Sequence, residues 1–97
     1  MITKNQILEK LKNKKPFLQK EYSVDKIGIF GSFAKNSQTD SSDIDFYVEF
    51  KNKSFDNLSG LWVYLESLYG RKIDILHKHK NNNKVIFNNI QKEVIFG

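Results

Sequence analysis

Apolar residues recur along this chain with two periods, one helical and one alternating, and the switches between them mark out the elements. Ile7, Leu8 and Leu11 share one face of a helix that Thr3 is placed to cap. Pro16 predicts a break in it, or the first turn of a second short helix with Phe17 and Leu18 packed inward. Val24 to Phe30 reads as a strand rich in β-branched residues, in which Gly28 permits a close approach. Ile44 to Phe50 is a second strand, with Ile44, Phe46 and Val48 on one face. From Asp56 to Tyr69 the residues Leu58, Leu61, Trp62, Leu65 and Leu68 form an amphipathic helical face, and Gly70 is placed to end it. Lys72 to Leu76 is a third strand. After Asn81-Asn82-Asn83, the residues Val85, Ile86 and Ile90 suit another helix, and Glu93 to Phe96 a short edge strand.

These elements predict an α+β fold, a small mixed sheet packed with helices. The expected organisation is one domain over 1–97, with a helical part at 1–22, a sheet core at 24–76 and a C-terminal helix and edge strand at 81–97.

The strand pattern also isolates the polar positions that could carry chemistry. Asp43 and Asp45 should share a face while Ile44 and Phe46 point into the core. Asp74, between Ile73 and Ile75, should leave its strand on the side opposite the isoleucines. Three carboxylates on one sheet face suit Mg²⁺, a hard cation commonly shared with substrate phosphates. Spacing alone equally allows three ordinary residues on half-solvated strands. Gly31 and Ser32 lie where the first strand turns toward Phe33-Ala34-Lys35, where the pattern predicts a helical turn. Backbone N–H groups there can hold phosphate oxygens, with a tight turn and local serine cap as the alternative. The polar run Asn36 to Ser42 reads as a loop.

The ordered set Gly31-Ser32, then Asp43-Ile44-Asp45, in GSFAKNSQTDSSDIDFYVEF resembles the signature of the polymerase-beta-like nucleotidyltransferase superfamily. More narrowly it is similar to the minimal nucleotidyltransferases, and the likeness runs on through ESLYGRKIDILHK, from about Val24 to Phe96. The resemblance implies a polymerase-beta-like fold. It implies that Asp43, Asp45 and Asp74 are catalytic carboxylates binding one or two Mg²⁺ ions, and that Gly31 and Ser32 grip the triphosphate of ATP. Lys35 stands where the family often has arginine, and Asn36 where it often has glycine. Lysine keeps the positive charge for a nucleotide contact without the planar fork, and asparagine tolerates a left-handed backbone better than most residues. Glu49 shares the parity of the aspartates but lies farther along the strand, which favours a surface role. Arg71 and Lys72 could meet phosphate or a partner, or simply end a strand in solvent.

Charge and composition narrow the classes further. Sixteen basic and eleven acidic side chains give +5, with Lys10, Lys12, Lys14, Lys15 and Lys20 in the N-terminal third. These lysines alternate with apolar helix positions and lack an aromatic stacking pattern, so a solvated helix face is expected and direct nucleic-acid binding is not. There is no cysteine, hence no disulfide framework or thiolate nucleophile. No long apolar run marks a membrane span, and a cytoplasmic protein is expected. His77 and His79 form a thin two-ligand set for zinc.

The reaction implied by the resemblance is transfer of AMP from ATP to a hydroxyl, with release of pyrophosphate. Minimal nucleotidyltransferases are often paired with a HEPN-type RNase toxin, which they neutralise by complex formation, by adding AMP to a toxin tyrosine, or both. The resemblance therefore implies a nucleotidyltransferase antitoxin with a HEPN-domain partner. The alternatives are a catalytically idle binding antitoxin and a small basic nucleic-acid binder. The large apolar residues of the Asp56–Tyr69 helix (Trp62, Tyr64, Leu65, Leu68 and Tyr69) and of the C-terminal run are more than one small core obviously takes. A partner interface or a homo-oligomer is expected there.

Overall fold

The computed structural model describes residues 2–77 and 84–97. Helix α1 spans Lys4–Tyr22, followed by strand β1, Val24–Phe30, and the short helix α2, Gly31–Ala34. Strand β2, Ile44–Phe50, leads to helix α3, Phe55–Tyr69, and strand β3, Ile73–His77. Helix α4, Lys84–Glu93, and strand β4, Ile95–Phe96, complete the chain. The strands form one mixed sheet in the order β3-β2-β1-β4, with β2–β3 parallel and the other pairs antiparallel.

Thr3 begins α1 with a full capping box. Its side chain accepts from the Gln6 N–H, while the Gln6 side chain accepts from the Thr3 N–H. Ile7, Leu11 and Leu18 are fully buried against the sheet. Each contributes about 1.5–3 kcal/mol by leaving water.

Pro16 does not break this helix, contrary to the sequence expectation; α1 runs unbroken through it. Pro16 is exposed, so the carbonyl that loses its helical partner faces the solvent side. Phe17 also departs from expectation and is 43% exposed. One residue is a 100° step around a helix, so Leu18 and Phe17 cannot both face the core. Phe17 instead joins Tyr22 and Tyr64, with ring centres 6.1 and 5.0 Å away.

The two sheet faces differ. Ile27 and Ile29 of β1, Ile44, Phe46 and Val48 of β2, and Ile73 and Ile75 of β3 are buried in one core with α1 and α3. Leu61, Leu65 and Tyr69 of α3 close it, and the Tyr69 hydroxyl donates to the Ile7 carbonyl at 2.8 Å. Trp62, Tyr64 and Leu68 pack partly buried against the same core. The core therefore absorbs more of α3 than its sequence suggests, leaving Val63 at 67% exposure and Phe55 at 81%. Gly70 ends α3 in the left-handed conformation at φ 64°.

On the opposite face Tyr47 is fully buried beneath the C-terminal segment. Its ring meets Phe96 edge-on at 5.9 Å, and its hydroxyl accepts from the Gln91 amide at 2.8 Å. Gly28 makes this possible, because an added Cβ there would lie 2.5 Å from the Ile95 carbonyl oxygen. The side chains of Val85, Ile86 and Phe87, with His79 and Asn81 to Asn83, lie outside the described residues. No described helix is long and apolar enough to cross a membrane.

Candidate active site

The sheet register sets the geometry of the carboxylates. Asp45 on β2 lies opposite Asp74 on β3 and opposite Phe30, the last residue of β1. Gly31 follows Phe30 directly, so Asp45 sits between the β1–α2 turn and Asp74. Adjacent strands are about 4.8 Å apart, which brings the two carboxylates side by side. Asp43 precedes β2 and is exposed, as is Asp74, while Asp45 is half-buried.

The crowding leaves an electrostatic trace. Burial first, then the charges of Asp74 and Asp43, push the Asp45 carboxyl above its ordinary range. A bound cation would relieve each of these three causes, and an all-oxygen donor set suits Mg²⁺. The residues therefore fit the ion by their chemistry.

They do not form a finished cage. Among the described residues no three His, Cys, Asp or Glu side chains converge around one point. Two local features keep the three carboxylates from closing around one point. Asp43 lies before the strand, outside the pleat that would aim it. Asp74 turns one oxygen back to accept from the Ile75 N–H at 3.0 Å. Mg²⁺ commonly completes its octahedron with substrate phosphates and water, so an open set is compatible with it.

The glycine beside the carboxylates is constrained twice. Gly31 has φ 73°, a left-handed conformation costly for other residues. A Cβ at this position would also land on the Asp45 carboxylate. Helix α2 opens here with no side-chain cap, so its first N–H groups are left for other acceptors. Ser32 stands in that first turn. Its carbonyl accepts from the Ser37 N–H at 2.9 Å, closing the start of the following loop.

Lys35 and Asn36 follow. Asn36 takes φ 57°, the left-handed conformation its side chain tolerates. The Lys35 ammonium lies 3.5 Å from Glu93 of α4, both side chains being about half exposed. Such an exposed pair is worth about 0–1 kcal/mol, so Lys35 can exchange it for another anion.

Glu49 is half-buried rather than at the surface, and accepts from the Tyr47 hydroxyl at 3.0 Å. Burial pushes that hydroxyl up to about 12, lowered by the Gln91 hydrogen bond and raised by Glu49. Sequence reasoning missed Tyr47. Its signal was a large aromatic on the parity of Asp45, two residues along. Arg71 is half-buried and donates to the Asp40 carbonyl at 2.8 Å.

Residues 9–97 match the family described as polymerase beta, nucleotidyltransferase. A relative from Methanocaldococcus jannaschii that carries the name protein adenylyltransferase is 35% identical over 99 residues, covering 99% of both chains. The protein adenylyltransferase MntA of Thermococcus cleftensis is 29% identical and covers 99% of this chain and 97% of its own. Among solved structures, a minimal nucleotidyltransferase superposes with a TM-score of 0.73 at 23% identity, over 91% of this chain and 93% of that one. One chain of a toxin–antitoxin structure solved with AMP-PNP is also similar in fold, at a TM-score of 0.66 and 20% identity, over 98% of this chain and 72% of that one. The register-paired aspartates thus sit in a chain that belongs to the polymerase beta nucleotidyltransferase family.

Proposed function

We propose that this protein is a Mg²⁺-dependent, cytoplasmic antitoxin that transfers AMP from ATP to a tyrosine hydroxyl of a HEPN-type RNase toxin. The observation that carries this reading is the register pairing of Asp45 with Asp74 beside Gly31. It sets an electron-rich carboxylate cluster against a turn open to phosphate. The names of the relatives supply the reaction class.

In this reading Asp43, Asp45 and Asp74 hold the ion. Bound Mg²⁺ supplies neutralisation of charge on the triphosphate and on the leaving pyrophosphate. The first N–H groups of α2 and the Ser32 hydroxyl orient the phosphates, with Gly31 allowing them to come close. Lys35 leaves Glu93 to meet a phosphate oxygen. The acceptor oxygen bonds to the α-phosphorus from the side opposite the pyrophosphate. Asp74 takes the hydroxyl proton, and the bridging oxygen departs with pyrophosphate. AMP remains on the acceptor, and atoms balance without a further reactant.

Incubation with the HEPN partner, ATP and Mg²⁺ should raise the partner's mass by whole AMP units. No adduct with any nucleotide or divalent metal would refute the transfer. A second reading, neutralisation by binding alone, is favoured by Lys35 and Asn36, which stand where the family often has arginine and glycine. It predicts that toxin inhibition survives loss of Asp43 and Asp45.

A further inference from the structure

Three segments that bear the candidate site meet at a side chain outside it. Arg71 lies in the turn between α3 and β3, three residues before Asp74. Its Nη2 donates to the carbonyl of Asp40, three residues before Asp43. Its guanidinium carbon lies 5.2 Å from the centre of the Phe33 ring. Phe33 is fully buried and follows Ser32 directly.

The loop between α2 and β2 closes mostly on itself. Ser42 N–H donates to the Thr39 carbonyl at 3.1 Å, and Thr39 N–H to the Ser42 hydroxyl at 2.9 Å. Ser37 N–H reaches only back to Ser32. Such turns fix local shape but not the placement of the loop against β3. The bond from Ile44 N–H to the Lys72 carbonyl, at 3.3 Å, begins the β2–β3 ladder beyond Asp43. Arg71 reaches across from the β3 side to the loop itself.

We propose that Arg71 is a positioning residue that fixes the 36–43 loop, and through it Asp43, at the mouth of the carboxylate cluster. A planar guanidinium can lie on an aromatic ring and donate in its own plane at the same time. A lysine ammonium keeps the charge but has no plane to lay flat on the ring while donating at its edge. The attachment adds a second tie, beside the bond from Ile44 to Lys72, between the segment that carries Asp43 and the start of β3. The effect on metal rests on the reading of Asp43, Asp45 and Asp74 as the metal-holding set. The effect on the loop does not.

The test compares wild type, Arg71→Gln and Arg71→Lys in two measurements. Amide hydrogen exchange is followed residue by residue in metal-free protein. Binding of Mn²⁺ with a non-hydrolysable ATP analogue is followed by the free-Mn²⁺ paramagnetic signal. In Arg71→Gln, exchange at Ser42 and Ile44, whose N–H groups are bonded, should accelerate about 10-fold, while Ile27 and Ile29 keep their rates. The Mn²⁺ dissociation constant should rise about 10-fold, as when an outer partner of a metal ligand is lost. Arg71→Lys should resemble Arg71→Gln in both. Unchanged loop exchange, or equal acceleration across β1, would overturn the proposal. Full recovery by lysine would overturn it too, by showing that charge alone suffices. Variants that bind Mn²⁺ as wild type does would remove the role of Arg71 and leave the site reading intact. Wild type that binds no Mn²⁺ would overturn the site reading, and the positioning of Asp43 for metal with it.

Discussion

Replacing Gly31 by alanine tests the tightest point of the site without touching a carboxylate. The backbone there has φ 73°, and an added methyl group would meet the Asp45 carboxylate. A left-handed alanine costs about 1–2 kcal/mol, offset by about 0.4–1 kcal/mol because alanine has less freedom to lose on folding. Driving Asp45 off its rotamer adds about 0.5–1.5 kcal/mol and pushes it toward Asp74. The sum is a loss of about 2 kcal/mol, or a fall in Tm of roughly 10 °C for a domain of this size. Circular-dichroism melts of Gly31→Ala, Asp45→Ala and the double variant separate the two contributions. With Asp45 truncated the clash is gone and only the backbone cost remains, about 1 kcal/mol, so the cycle should show a coupling of about 1 kcal/mol. Equal cost in both backgrounds would refute the contact with Asp45. No loss in either would refute the left-handed turn.

Other perturbations probe the remaining links. Asp43→Asn combined with Asp45→Asn should leave the metal-free melting point unchanged or higher, because mutual repulsion is removed, and should abolish AMP transfer to the partner. Retained transfer would defeat the catalytic assignment. Gly28→Ala should cost about 1–3 kcal/mol in urea unfolding by forcing β4 off β1, and should speed amide exchange at Gly97, which donates to Ile27. Tyr69→Phe should cost about 1 kcal/mol by losing the bond to Ile7. Burial raises the Tyr69 pKa, so the unfolded chain gives up this proton first and stability falls as pH rises beyond 10. The phenylalanine variant should show a shallower alkaline loss of stability, and an identical slope would contradict the burial of that hydroxyl.

The parts of this fold visible in the sequence are those fixed by local period and local chemistry. The β-branched run in Val24–Phe30 and the alternation in Ile44–Phe50 marked both strands to the residue, because Ile27, Ile29, Ile44, Phe46 and Val48 all bury in one core. Thr3 and Gly70 announced helix ends through capping chemistry that acts within a few residues. Pro16 misled because proline ends helices by removing one hydrogen bond, and an exposed position lets solvent compensate. The Asp45–Asp74 pairing required the register of two strands separated by α3, which no local pattern contains. The contacts of Arg71 and Tyr47 were hidden for the same reason. Their partners, Asp40 and Phe33 in one case and Gln91 in the other, lie far away in sequence.

A structure of the protein with Mg²⁺ and a non-hydrolysable ATP analogue tests the central claim most directly. It should show the ion held by Asp43, Asp45 and Asp74 oxygens at about 2.1 Å, with the triphosphate against Gly31 and Ser32. A nucleotide bound elsewhere, or no metal between the carboxylates with nucleotide present, would contradict it.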